Sequence, residues 1–73
     1  MLQTASVAFR EIDDEPSAWR VDVIVDGVVS GRIYRGGGTY LYFEGPDNDV
    51  IWSFADLDLR RLESRIRTTV IAE

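Results

Sequence analysis

The sequence predicts an α+β domain: an antiparallel β-meander of three to five strands with one C-terminal α-helix packed on one face. Three observations predict it. Trp19, Val21, Val23 and Val25 alternate with Arg20, Asp22, Ile24 and Asp26, the period of a half-buried strand. Asp26-Gly27 and Gly36-Gly37-Gly38 punctuate the chain as hairpin tips. Leu59, Leu62 and Ile66 recur at i, i+3 and i+7, the stripe of an amphipathic helix, and Val70 extends it.

The elements follow in order. Ser6 to Ile12 reads as a first strand, with Val7, Phe9 and Glu11 on one side and Ala8, Arg10 and Ile12 on the other. Asp13 to Ala18 reads as a turn, because Pro16 cannot donate to a ladder and Asp and Ser close local turns. The second strand begins at Trp19, and a third runs from Val28 to Arg35.

Parity then selects the loops. A two-residue loop at Asp26-Gly27 sets Val23 and Val21 opposite Ser30 and Arg32. A three-residue loop over Val25-Asp26-Gly27 pairs Val23 with Val29, Val21 with Gly31 and Trp19 with Ile33, which keeps the apolar residues on one face. This predicts a type I turn with Gly27 at a positive-φ bulge position. Treating Gly36-Gly37-Gly38 as a three-residue loop pairs Tyr34 with Tyr40 and Ile33 with Leu41. The expected core is then Trp19, Val21, Val23, Ile33, Leu41, Phe43, Leu59, Leu62 and Ile66, with Val29 also on the sheltered side. Gly45 to Asp49 is a polar turn, and Val50-Ile51-Trp52 is either a short further strand or an extended lead into the helix. The helix start is signalled by Ser53 with Asp56 three residues on, or by Asp56 as the N-cap itself. Asp56–Arg60 and Glu63–Arg67 have the spacing of helical ion pairs.

The 73 residues make one domain, 1–73, and contain no Cys and no His, and every one of the 8 basic residues is Arg. Cys, His and Lys supply most nucleophiles, most bases that titrate near neutrality and most transition-metal ligands. An enzyme is therefore not expected, nor a metal or cofactor. Carboxylate pairs remain as a chemical resource, but a small meander offers little room for a deep pocket. A core of this size rarely contributes more than about 3–5 kcal/mol of net stability, so a homodimer through sheet-face packing or edge pairing is a further expectation. The net charge of −5 disfavours nucleic acid and anionic lipid as partners. No apolar run approaches the length of a membrane span, about 18 residues or more. Met1 to Thr4 has neither a basic start nor an apolar stretch of the secretory kind, so a cytoplasmic location is expected.

With these registers the uncovered face of the sheet carries Arg20, Arg32, Tyr34, Tyr40 and Tyr42, alongside Asp22 and Glu44. Tyr and Arg dominate binding hot spots, although they also serve simply to cover a sheet. This face is the candidate partner-binding site. Asp13-Asp14-Glu15 is the alternative, an acidic surface that docks on a basic protein. Gly36-Gly37-Gly38 lacks the Gly-Lys-Ser/Thr ending of a phosphate loop, and Asp47-Asn48-Asp49 lacks the later ligands of a Ca²⁺ loop. The expected function is a small acidic, non-enzymatic protein-binding module: an inhibitor, adaptor or subunit, in one version blocking the basic groove of a nucleic-acid-handling protein. Small bacterial or phage-encoded inhibitors fit that profile. The alternative is a nucleic-acid-binding module that uses the sheet face.

Overall fold

The period-2 pattern from Trp19 onward does form a half-buried strand, and the remaining elements assemble around it. In this computed structural model, which describes residues 6–14 and 18–72, the order is β1 (Val7–Asp14), β2 (Ala18–Val25), β3 (Val28–Gly36), β4 (Thr39–Glu44), β5 (Phe54–Asp56) and α1 (Leu59–Ala72). The strands pair in chain order as one five-stranded antiparallel sheet, and α1 packs on one face of it against β1, β4 and β5. The expected α+β meander with a C-terminal helix is the fold observed. Among the described residues no helix is long and apolar enough to cross a membrane.

The face toward α1 is the inner face. One row crosses the whole sheet there: Glu11, Val21, Ile33, Tyr42 and Phe54 stand opposite one another on successive strands. The core is Val21, Val23, Ile33, Tyr42, Leu62 and Ile66, with Phe9, Trp19, Phe54 and Leu59 packed against it. Each fully buried aliphatic side chain contributes about 1.5–3 kcal/mol by leaving water.

The first hairpin differs from the expected one. Val25 pairs with Val28, so the loop is the two residues Asp26 and Gly27. Both have positive φ, 53° and 83°, the requirement of a type I′ turn. The expected positive φ at Gly27 is present, but the three-residue turn is not. The ladder instead slips between Val23 and Ile24, so that Val23 faces Gly31 while Ile24 faces Val29. Ser30 is the extra residue of a β-bulge on β3. The bulge achieves what the longer loop was invoked to do, and Val21 and Val23 stay on the inner face. Val29, beyond the bulge, turns to the other side with Ile24.

The second hairpin overturns part of the expected core. Gly36 pairs with Thr39, leaving Gly37 and Gly38 as the loop, with φ of 61° and 80°. This conformation is costly for side-chain-bearing residues and open to Gly. The pairing is one residue removed from that expected: Ile33 faces Tyr42, and Tyr34 faces Leu41. A one-residue slip inverts a strand. Tyr40 and Tyr42 therefore lie on the inner face, and Leu41 and Phe43 on the outer one. Gly31 has a packing reason as well, since a Cβ there would stand 2.6 Å from the Tyr42 ring and 2.8 Å from the Phe43 carbonyl oxygen.

The helix start lies further along than either expected cap. Asp58 is the N-cap: its Oδ1 accepts from the Arg60 and Arg61 amides at 2.9 and 3.2 Å, and its carbonyl from the Leu62 amide at 3.0 Å. Such a cap contributes about 1 kcal/mol. Asp56 ends β5 and binds Arg61 through three contacts of 2.8–3.0 Å. Ser53 belongs to the strand entry, donating its amide to the Tyr42 carbonyl at 2.8 Å. Neither expected helical ion pair forms among the described residues. Arg67 lies over the Phe9 ring instead, 5.2 Å from its centroid. The stripe of Leu59, Leu62, Ile66 and Val70 does face the sheet.

Candidate functional site

Two surfaces stand out: the outer face of the sheet and the loop that enters β5. The outer face is built from two paired rows. Arg10, Asp22, Arg32 and Phe43 form one, on β1 to β4; Ile12, Arg20, Tyr34 and Leu41 form the other. Of the residues expected on this face, the structure brings together Arg20, Arg32 and Tyr34. Tyr40 and Tyr42 are on the opposite side, Tyr40 beside Trp19 with ring centroids 5.6 Å apart and Tyr42 stacked on Phe54 at 6.0 Å. Glu44 has also left the face, because it pairs with Gly31 in the inner rows.

Asp22 occupies the middle of the outer face and is only 3% exposed. Its Oδ2 accepts from Arg10 at 3.2 Å, and its Oδ1 from the Nε of Arg20 and of Arg32 at 3.2 and 3.3 Å. Burial raises the Asp22 pKa, but the hydrogen bonds from Arg10 and Arg20 and the charges of Arg20 and Arg32 outweigh it and hold the carboxyl below its usual range. The guanidinium groups form a layer above the carboxylate, with the Arg10, Arg20 and Arg32 side chains 63, 32 and 27% exposed. Arg32 also donates to the Pro46 carbonyl, which ties the loop after β4 to this face. Tyr34 meets Phe43 edge-on, centroids 5.4 Å apart. Arg10 and the burial of Asp22 escaped the sequence reading, because both depend on the β1 register.

Three further arginines serve the inner face. Arg35 lies over Trp19 at 4.8 Å and Arg65 over Phe54 at 4.4 Å, joining Arg67 over Phe9. These cations roof the rim of the core with apolar stems and ring contacts. Trp19 is further held by Glu11, whose Oε2 accepts the indole N–H at 2.7 Å.

The second surface was not foreseen. Val50, Ile51 and Trp52 form neither a strand nor a helix lead; they are 79, 71 and 51% exposed. Asn48 shapes the segment. Its Nδ2 donates to the Glu44 and Ile51 carbonyls, both at 2.9 Å, and its Oδ1 accepts from the Val50 and Ile51 amides at 3.1 and 3.3 Å. The Asp47-Asn48-Asp49 segment is thus a loop organiser. In the chain, Asp47 and Asp49 immediately precede the apolar triplet, and Asp49 lies beside Tyr34, Leu41 and Phe43 of the outer sheet face. An apolar run next to a turn signals a strand on composition alone, which is why this surface was hidden.

The alternative acidic site is only partly in view. Asp13 and Asp14 continue β1 instead of forming a turn, and Glu15 lies outside the described residues. A groove floored by Val25, Tyr42, Phe54, Ile66 and Val70 opens between the sheet and the second half of α1. Burial and the nearby Glu44 raise the Tyr42 phenol pKa, so its hydroxyl stays protonated at neutral pH. No group of His, Cys, Asp and Glu among the described residues is arranged to hold a metal ion. Comparison of the chain with protein-family models, with curated proteins and with solved structures finds no match.

Proposed function

We propose that this chain is a small, acidic, non-enzymatic protein-binding module, an inhibitor, adaptor or subunit, and that it engages its partner through Val50, Ile51 and Trp52. The observation that carries this reading is the exposure of three consecutive apolar side chains on a loop held by the four hydrogen bonds of Asn48. Exposed apolar clusters mark contact sites, and Trp is the residue most typical of a binding hot spot. A loop already fixed in shape loses little conformational freedom when it docks. The net charge of −5 favours a partner with a basic surface, the profile of proteins that handle nucleic acid.

A second reading concerns the outer sheet face and nucleic acid. It is favoured by the removal of Glu44 from that face and by the three arginines that surround Asp22 there. Against it stands the small number of cations, since salt-dependent phosphate binding draws on many contacts.

The two separate in one experiment. The chain, an Ile51→Ser/Trp52→Ser variant and an Arg20→Gln/Tyr34→Ser variant are each used to capture proteins from the native host, and each is titrated with a DNA and RNA panel across salt concentrations. The expected outcome is a specific protein lost only in the loop variant. Loss only in the Arg20/Tyr34 variant would move the contact to the sheet face. Salt-dependent oligonucleotide binding would establish the second reading. Retention of every captured protein in both variants would refute the loop as the contact and leave the Asp13-Asp14-Glu15 surface as the next to test.

A further inference from the structure

We propose that Arg10, Arg20 and Arg32 form a recognition site for a single oxyanion, a phosphate or a carboxylate, on the outer face of the sheet. The inference is independent of the loop and of the protein contact assigned to it.

Charge stoichiometry is the first argument. One carboxylate, Asp22, is surrounded by three guanidinium groups. Neutralising a buried carboxylate takes one Arg, so the cluster holds two positive charges beyond what packing needs. This excess sits on a chain whose net charge is −5. Like charges gathered around one carboxylate repel one another, and anionic charge beside them relieves that repulsion. Asp22 supplies part of that charge from below.

Hydrogen-bond capacity is the second. Each guanidinium offers five N–H donors in a planar fork. Arg10 and Arg20 each spend one contact on Asp22, at 3.2 Å, and Arg32 one at 3.3 Å plus one on the Pro46 carbonyl. These single-point contacts are longer than the usual charge-assisted bond of about 2.7–2.9 Å. Arg61 shows what the same side chain does when an ion pair is its whole role: it closes on Asp56 with three contacts of 2.8–3.0 Å. The Asp22 arginines are held in place without being consumed.

Layering is the third. Asp22 is 3% exposed while the guanidinium groups above it are partly open to solvent. An incoming anion therefore meets cations, with the Asp22 carboxylate screened beneath them; Asp49 lies further along the face, beside Tyr34, Leu41 and Phe43. Asp22 is a positioning residue here. It gathers three side chains from three strands, since Arg10 and Arg32 stand opposite it on either side and Arg20 precedes it by two residues. Tyr34, opposite Arg20 on β3, adds a flat apolar neighbour for the body of the ligand. Three cations gathered around Asp22 offer a compact patch that fits one oxyanion group, whereas a nucleic-acid strand needs a track of them.

The test is a titration of the intact chain followed by NMR of the arginine Nε–Hε groups. Inorganic phosphate and N-acetylglutamate are the two probes, each added at constant ionic strength set with sodium chloride. Saturable shifts at Arg10, Arg20 and Arg32, absent at Arg60 and Arg61, are expected for at least one probe. Which probe binds more tightly identifies the oxyanion as phosphate or carboxylate. Arg10→Gln removes a largely exposed side chain from an edge strand, so it should leave the melting temperature unchanged while weakening binding roughly tenfold or more. Arg20→Gln should weaken binding as much, with a small loss of stability because it also removes a hydrogen bond to buried Asp22. The proposal is overturned if neither probe saturates, if all arginines shift alike, or if both variants bind as the parent does.

Discussion

The two faces of this sheet are built from the same strands and solve burial by different physics. On the inner face Val21, Ile33 and Tyr42 disappear against Leu62 and Ile66, with no charge in the cluster. On the outer face the most buried side chain of β2 is Asp22, and the cover is a layer of guanidinium groups. The inner face is non-directional and tolerates change in proportion to volume. The outer face is directional, so each contact depends on the presence of the others. Tyr34 and Tyr42 make the contrast concrete. They are chemically identical and lie on adjacent strands, yet one covers the outside and the other fills the core. A single residue of hairpin register decides which is which.

Substitutions can break or sharpen this contrast. The largest effect is expected from Tyr42→Ala, a buried aromatic removed from the row that spans all strands; a loss of about 3–5 kcal/mol should appear in the denaturant midpoint. A midpoint within experimental error of the parent would show that Tyr42 is not in the core. Next is Gly31→Ala. The Phe43 carbonyl is backbone and cannot step aside, so the added methyl should destabilise by about 1–3 kcal/mol.

Asp22→Asn keeps the shape of the outer face and removes its central charge. The arginines can recover hydration because they are partly exposed, so the expected loss is smaller, about 1–2 kcal/mol, and should shrink further in high salt. An inner-face substitution should show no such salt dependence, which separates the two kinds of cohesion. Tyr34→Ala should cost less than about 1.5 kcal/mol, the edge-on contact with Phe43 being its main partner.

The smallest effect is visible only in acid. The Arg61 guanidinium and the Asp58 and Leu57 amides hold the Asp56 pKa down at about 2, against an ordinary 3.8. The folded pKa is the lower one. The stabilisation is therefore complete above the unfolded value and is lost as pH falls from about 4 toward 2. Asp22 is shifted in the same direction and adds to that loss. Asp56→Asn should flatten part of the stability decline between pH 4 and pH 2. An unchanged acid profile would mean that the Asp56–Arg61 pair does not fasten β5 to α1.

The fold was legible because β2 and α1 carry unambiguous periods. The phase of β4 was not. Thr39-Tyr40-Leu41-Tyr42-Phe43 is apolar in both alternations, so a period-2 test cannot say which set is buried. Three consecutive glycines compound this, since any two of them can make the turn. At the first hairpin Val21 and Val23 lie on the face that parity predicts but by another device, because a turn of one length plus a bulge is equivalent in phase to a longer turn. Arg20, Arg32 and Tyr34 lie on the expected face because the alternation of β2 and β3 is secure, although the pairing is two residues removed from that expected: Val21 faces Ile33 and Arg20 faces Tyr34. Tyr40 and Tyr42 inherited the error in β4. The exposed triplet Val50-Ile51-Trp52 was concealed by its composition: hydrophobicity predicts burial, and the strand that completes the sheet is the next segment, Phe54–Asp56.

The positions of the two tryptophans have a spectroscopic consequence. Trp19 is half-buried, with its indole N–H on Glu11, a guanidinium over its ring and Tyr40 alongside. Trp52 stands in solvent on the loop. Their emission should differ in colour and in access to a dissolved quencher, with Trp52 the redder and the more readily quenched. Replacing Trp52 by Phe leaves an indole whose signal follows unfolding; replacing Trp19 by Phe leaves one on the exposed loop, whose signal tests whether that loop makes the proposed contact. The core and the loop can therefore be followed separately, without an attached dye.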